Sequence, residues 1–132
     1  MSSALHHVEL WTGDLAAVEQ AWGWLLGRLG WRDGDAWDRG RTWTYTDGTY
    51  LVLEQSPAVT DEVHDRLRAG MNHLALHAPT SAVLDDVRAD AAAHGWCEMF
   101  AERYPHAGGP AHRALFLENE QGFEIEIVAP PA

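Results

Sequence analysis

Several things are scarce in this chain of 132 residues, and each scarcity removes a class of function. There is one cysteine, Cys97, so no internal disulfide can form, which fits a reducing cytoplasm. No activating pattern surrounds it in sequence, and it reads as a small buried hydrophobe. Only 9 basic residues stand against 20 acidic ones, a formal net charge of −11. That field repels phosphate backbones, and without a local basic patch nucleic acid is excluded as a partner. No run approaches the roughly 18 uninterrupted apolar residues of a membrane-spanning helix, so no membrane role is expected. The opening MSSALHHVEL lacks the basic start and apolar core of a signal peptide, which again leads to the expectation of a cytoplasmic protein.

What remains is ordinary in bulk, 46% hydrophobic and 22% charged, and long enough for one domain with a real core. Seven tryptophans are the unusual component. Each is large, flat and commonly half-buried, so the excess suits a core or an aromatic-lined pocket.

Two hexapeptides organise the chain. LHHVEL at 5–10 is echoed by MNHLAL at 71–76, each with a histidine, His7 and His73, in third place of a strand-like run. After the first, TGDL supplies a helix start with Asp14 or Thr12 as cap. Leu15, Val18, Trp22, Leu25, Leu26 and Leu29 then form one stripe, and Gly30 ends it. Three strand-like runs follow, near 31–37, 41–46 and 49–55, with TDGT as a hairpin turn between the last two. The stretch 56–70 breaks the pattern and reads as a connector containing a weakly helical TDEVHDRLRAG. The order then repeats: a strand at 71–77, a helix with Val83, Leu84, Val87 and Ala91 on one side closed by Gly95, and a strand at 96–100. A Gly/Pro-rich loop, ERYPHAGGPAH, comes next, followed by strands at 112–117 and 123–129 joined by ENEQG. The expected organisation is one domain over 1–132, with a first module at about 4–55 and a second at about 71–130. The two histidines lie 66 positions apart, half the chain length, as an internal duplication requires.

Glutamate recurs too, Glu54 closing TYLVLE and Glu126 inside GFEIEIV, with the longer loop of the second half absorbing the unequal spacing. Strand alternation puts His7, Glu9 and Trp11 on one face, with Tyr50, Val52 and Glu54 beside them. The second module offers His73, Ala75 and His77, then Glu124, Glu126 and Val128. Two imidazoles and two carboxylates, one pair per half, suit a divalent transition metal such as Zn, Ni, Fe, Mn or Co. Four protein ligands on an octahedral ion leave two positions where a substrate with neighbouring oxygens can chelate.

These residues resemble the vicinal oxygen chelate superfamily, which includes glyoxalase I, extradiol dioxygenases, fosfomycin-resistance enzymes and bleomycin-resistance proteins. LHHVELWTGDL is similar to the family's first strand and helix entry, NHLALHA to the strand opening its second module, and FLENEQGFEIEIVAP to its closing turn and strand. The resemblance covers almost the whole chain. It implies an α+β fold of two βαβββ modules forming a cupped mixed sheet with helices packed outside. Its metal-ligand positions fall on His7, Glu54, His73 and Glu126, with Glu124 as second choice for the last. His6 is offset by one residue and so belongs to the opposite face. Family members of this size commonly build each site across two chains, so a homodimer is expected.

The resemblance implies less about the reaction. Glyoxalase I carries a basic residue for glutathione where this chain has Trp11, which argues against glutathione conjugates. Extradiol dioxygenases use two His and one Glu, available as His7, His73 and Glu126, although Glu54 would crowd the open face. No basic anion site of the fosfomycin type stands out. The expected activity is therefore a metal-dependent glyoxalase- or dioxygenase-type reaction on a small oxygen-chelating molecule, aromatic ones included. Glu54 or Glu126 would serve as catalytic base. Substrate contacts are expected from Glu9, Trp11, Trp43, Tyr50 and His77, and from the 101–112 loop through Tyr104, His106 or His112. The alternatives are a metal-free, bleomycin-resistance-like protein that sequesters a planar natural product against Trp11, Trp37, Trp43, Tyr45 and Tyr50, and a fold whose metal is only structural.

Overall fold

Asp14 starts the first helix by accepting the Ala17 N–H on its side chain at 3.2 Å. Such a cap contributes about 1 kcal/mol. Gln55 satisfies another first-turn donor, its Oε1 accepting the Leu15 N–H at 2.8 Å. These two contacts seat α1 (Leu15–Arg28) between β1 (His7–Trp11) and a three-strand meander, β2 (Arg32–Trp37), β3 (Gly40–Thr44) and β4 (Tyr50–Glu54). Gly30 takes a positive φ just past the helix end. The second set is β5 (His73–His77), α2 (Ser81–Asp90), β6 (Trp96–Met99), β7 (Ala114–Asn119) and β8 (Glu124–Val128). Here the helix passes into a 3-10 turn at Ala91–His94 before Gly95. The computed structural model describes residues 3–131 and divides between His64 and Asp65, inside the 56–70 stretch, into two compact units. No helix is long and apolar enough to cross a membrane among the described residues.

Each unit is a four-stranded mixed sheet with one helix, strand order β1-β4-β3-β2 in the first and β5-β8-β7-β6 in the second. In both, the first strand runs parallel to the last and the other neighbours are antiparallel. Two βαβββ modules are therefore present, as the duplicated sequence predicts.

Alternation along the strands divides each sheet into a helix face and an open face. In the first unit Leu10, Leu51 and Leu53 are buried with Val18, Trp22 and Leu25 of α1. In the second, Leu115, Leu117, Ile125, Ile127 and Trp96 are buried with Leu84 and Val87 of α2. The 3.6-residue stripes of the helices and the two-residue period of the strands thus meet on one side only. Strand β2 is the exception, exposed along its whole length. It carries a bulge between Asp33 and Ala36, where Thr42 Oγ1 accepts the Asp35 N–H at 2.7 Å.

The same alternation corrects one expectation. Cys97 is exposed, not buried. Trp96, 1% exposed, takes the helix face of β6, and the next residue must point the other way. The TDEVHDRLRAG segment also forms turns and bends and no helix.

Core and surface positions should respond differently to truncation. Ile127→Ala, at a fully buried position, is expected to lower unfolding free energy by about 2–5 kcal/mol. Leu67→Ala, at a position 79% exposed, should stay within about 0.5 kcal/mol of the parent. Urea denaturation followed by circular dichroism measures both.

Candidate functional site

On the open face of the second unit the β5–β8 ladder sets His73 opposite Glu124 and Ala75 opposite Glu126. His73 is thus the diagonal neighbour of Glu126, and its Nε2 lies 3.0 Å from Glu126 Oε1. The other ring nitrogen, Nδ1, lies 2.7 Å from Asn72 Oδ1. Glu126 is 8% exposed, and its Oε2 meets His112 Nε2. The loop before β7 supplies that second imidazole, and Gly108 makes room for it: a Cβ there would lie 2.5 Å from the His112 ring. Glu124, also buried, meets the Arg66 guanidinium at 3.5 Å, and Arg66 reaches Glu118 at 3.3 Å. His73 touches Phe116 edge-on, with ring centroids 6.1 Å apart. His77 shares this face four residues further along, in the row of Val128 and Ala114.

The first unit is arranged differently. His7 lies opposite Tyr50 and stacks on its ring, centroids 4.8 Å apart and planes within 7°. His7 Nδ1 lies 2.9 Å from His6 Nδ1. Glu54 lies opposite Trp11, four residues along the ladder from His7, or about 13 Å. A cross-strand row is formed there by Trp11, Glu54, Gly40 and Trp37. Gly40 has no side chain because the Trp37 indole occupies the place of its Cβ. Two of the exposed indoles, Trp11 at 45% and Trp37 at 40%, therefore flank Glu54. Trp11 Nε1 donates to Glu9 Oε2 at 2.7 Å. Partial burial pushes the Glu54 carboxyl above the usual carboxylate range, and its hydrogen bond with Glu9 and that residue's charge push the same way.

These ladders change the expected equivalence of the two glutamates. If His7 corresponds to His73, then Tyr50 corresponds to Glu124, Val52 to Glu126, and Glu54 to Val128. The imidazole–carboxylate couple is formed in the second unit, and in the first an apolar Val52 holds the corresponding place. Among the described residues no group of three or more His, Cys, Asp or Glu side chains is arranged to hold a metal ion.

Three expected lining residues lie elsewhere. Trp43 pairs with Leu51 on the helix face, 5% exposed, with its indole against Gly23 of α1. Tyr45 follows the same parity and packs against Trp31. Tyr104 donates its hydroxyl to Asp85 of α2 at 2.6 Å and lies under Arg88, 4.1 Å from the ring centroid. Burial and the Asp85 carboxylate push that phenol well above its usual range, so it is no ready proton donor. His106 turns its Nδ1 to the His112 carbonyl at 3.3 Å. The neighbours that sequence reasoning passed over are Asn72, Arg66 and Gly108. Asn72 was visible in the echo itself, as the residue before the second histidine.

The site is thus a diagonal His–Glu couple on the open face of a βαβββ sheet, in a chain built from two such units. Comparison with known proteins gives the family. The model of the Glyoxalase/Bleomycin resistance protein/Dioxygenase superfamily matches residues 6–116, and the chain belongs to that superfamily. An uncharacterized protein of Bacillus subtilis (strain 168), YqjT, is 38% identical over 128 residues, covering 96% of this chain and 98% of that one. A provisionally assigned glyoxalase from Bacillus halodurans, known from its crystal structure, is 37% identical with a TM-score of 0.88, covering 97% of this chain and 96% of the other. The fold is shared at 14% identity and a TM-score of 0.62 with a mutant of the fosfomycin resistance protein FosX from Listeria monocytogenes, crystallised with Mn(II) and 1S,2S-dihydroxypropylphosphonic acid. That match covers 98% of this chain and 91% of the other.

The raised Glu54 pKa has a signed consequence. The folded state binds this proton more tightly than the unfolded chain, so the stability it contributes is present at acid pH and lost as pH rises through the raised value. Glu54→Gln should therefore match the parent in urea denaturation near pH 4 and become the more stable of the two at neutral pH. An equal or lower stability of the variant at pH 7 would contradict the raised Glu54 pKa.

Proposed function

We propose that the protein is a metal-dependent enzyme of the glyoxalase/dioxygenase type, acting in the cytoplasm as a homodimer on a small oxygen-chelating molecule. The observation that carries this reading is the His73–Glu126 couple. An imidazole nitrogen and a carboxylate oxygen 3.0 Å apart repel as bare lone pairs and suit a proton or a cation between them. The donor types fit a divalent transition metal, and the FosX mutant of the same fold holds Mn(II). His73 and Glu126 are assigned as ligands in the second unit, and His7 is the candidate imidazole of the first; each offers a donor type that such an ion accepts. Once bound, the ion would supply Lewis-acid polarisation of two neighbouring substrate oxygens.

The rest of the chemistry falls to side chains. Glu126 holds one oxygen on His112, which keeps the carboxylate oriented and gives it a partner able to pass or receive a proton at Nε2. Glu54 is assigned to proton holding and not to ligation, since it lies in the Trp11 row and shares its hydrogen bond with Glu9. Trp11 and Trp37, on either side of it, offer flat apolar faces to an aromatic part of the substrate.

That same pair of indoles supports the second reading, a binding protein that holds a planar natural product without turnover. Elemental analysis and thermal unfolding separate the two. Under the enzyme reading the purified protein carries about one equivalent of transition metal per chain, lost in His73→Ala and Glu126→Gln and retained in Glu54→Gln. Added metal at 1,000 times Kd should stabilise the parent by about 4 kcal/mol. A parent with no metal affinity, combined with stabilisation by polycyclic compounds that disappears in Trp37→Ala, would replace the enzyme reading with the binding one.

A further inference from the structure

In both units the residue immediately before the candidate ligand contacts that ligand's Nδ1. His6 Nδ1 lies 2.9 Å from His7 Nδ1, and Asn72 Oδ1 lies 2.7 Å from His73 Nδ1. Positions 6 and 72 are related by the same 66-residue offset as the histidines themselves. Each lies just outside its strand, which begins at His7 in one unit and at His73 in the other. Strand alternation therefore does not force either side chain to the opposite face.

We propose that His6 and Asn72 are matched positioning residues that orient His7 and His73, so that Nδ1 donates to the neighbour and Nε2 is the nitrogen offered to a cation. This rests on the metal reading above for its purpose, but not for its geometry. In the second unit the hydrogen-bond directions are settled by a third group. Asn72 Nδ2 donates to the Arg66 carbonyl at 3.0 Å, which makes the other amide atom, the one facing His73, an oxygen. A carbonyl oxygen only accepts, so the His73 Nδ1 must donate. Nε2 is then the nitrogen that faces Glu126, sharing a proton with the carboxylate where no cation takes that place. His73, Asn72 and the Arg66 backbone form one directed chain, from the ring Nδ1 to the Asn72 oxygen and from the Asn72 amide to the Arg66 carbonyl.

The first unit alone is ambiguous, because two imidazole nitrogens in contact can share a proton either way. The duplication resolves it. If position 6 does the work of position 72, His6 accepts and His7 donates from Nδ1, leaving His7 Nε2 as the nitrogen offered to a cation. Tyr50 holds the pair in place from beneath: its ring stacks on His7 and meets His6 edge-on with centroids 5.4 Å apart. Such an outer partner raises ligand basicity and fixes ring orientation, and its loss typically weakens metal binding by about 10–100-fold.

The test uses the full chain and Co(II) as probe, with imidazole nitrogen NMR of the metal-free protein at pH 8 as an independent readout. Both His7 and His73 are expected to carry a proton at Nδ1. His6→Ala and Asn72→Ala should each release the ring that follows toward the Nε2–H form and weaken Co(II) binding by about 10–100-fold. His6→Asn, which places the amide of one unit at the matching position of the other, should retain both the tautomer and the affinity. Both positions are exposed, so the variants are expected to unfold at the parental temperature. An unprotonated Nδ1 at either ring of the parent, alanine variants indistinguishable from it in tautomer, or, where the parent binds Co(II), variants of unchanged affinity would overturn the proposal. Should the parent bind no Co(II) while the tautomers respond as described, the metal reading falls and the positioning roles stand.

Discussion

Everything assigned to the second unit depends on the register of one parallel ladder. Because β5 and β8 pair with His73 opposite Glu124, the diagonal places Glu126 within bonding distance of the ring. A slip of β8 by one residue would send Glu124 and Glu126 to the helix face, where Ile125 and Ile127 now lie buried. The burial of those isoleucines therefore holds the polar couple in place: the apolar side of the strand sets the register and the acidic side uses it.

The two units share this ladder but not its chemistry. At the place of Glu126 the first unit carries Val52, and its carboxylate, Glu54, lies one pleat further on beside Trp11. Duplication preserved the backbone and the histidine while the neighbouring positions diverged. The result is an asymmetric pair, one sheet offering a buried carboxylate between two imidazoles and the other a protonatable carboxylate between two indoles.

Much of the fold was legible because it rests on local signals. The echoed hexapeptides, the Asp14 cap and the stripe from Leu15 to Leu29 each announce an element without reference to anything distant. The open-face placement of His7, Glu9, His73 and Glu126 followed from alternation alone. Pairing between strands far apart in sequence was not legible. The equivalence of Glu54 and Glu126 was judged from spacing, and a two-residue difference in where the last strand meets the first undoes it. Trp43 was assigned to a lining by its chemistry, whereas its side is decided by pairing with Leu51. Tyr104 lay in a loop with no periodicity to read, and a single carboxylate on α2 determines where it points. Asn72 was passed over because an amide before a histidine has no meaning until the ring orientation is known.

The bulge in β2 has a consequence beyond its own sheet. That strand is an edge of the first unit, and an unbroken edge offers its free amides and carbonyls to any extended chain that arrives. Here the spacing of those groups is interrupted at Gly34 and Asp35, and the carboxylates of Asp33 and Asp35 line the interruption. An incoming strand would lose its hydrogen-bond rhythm midway and bring its backbone carbonyls against negative charge. Exposed along its full length, β2 can therefore remain soluble as the last strand of its sheet, which stops there instead of propagating.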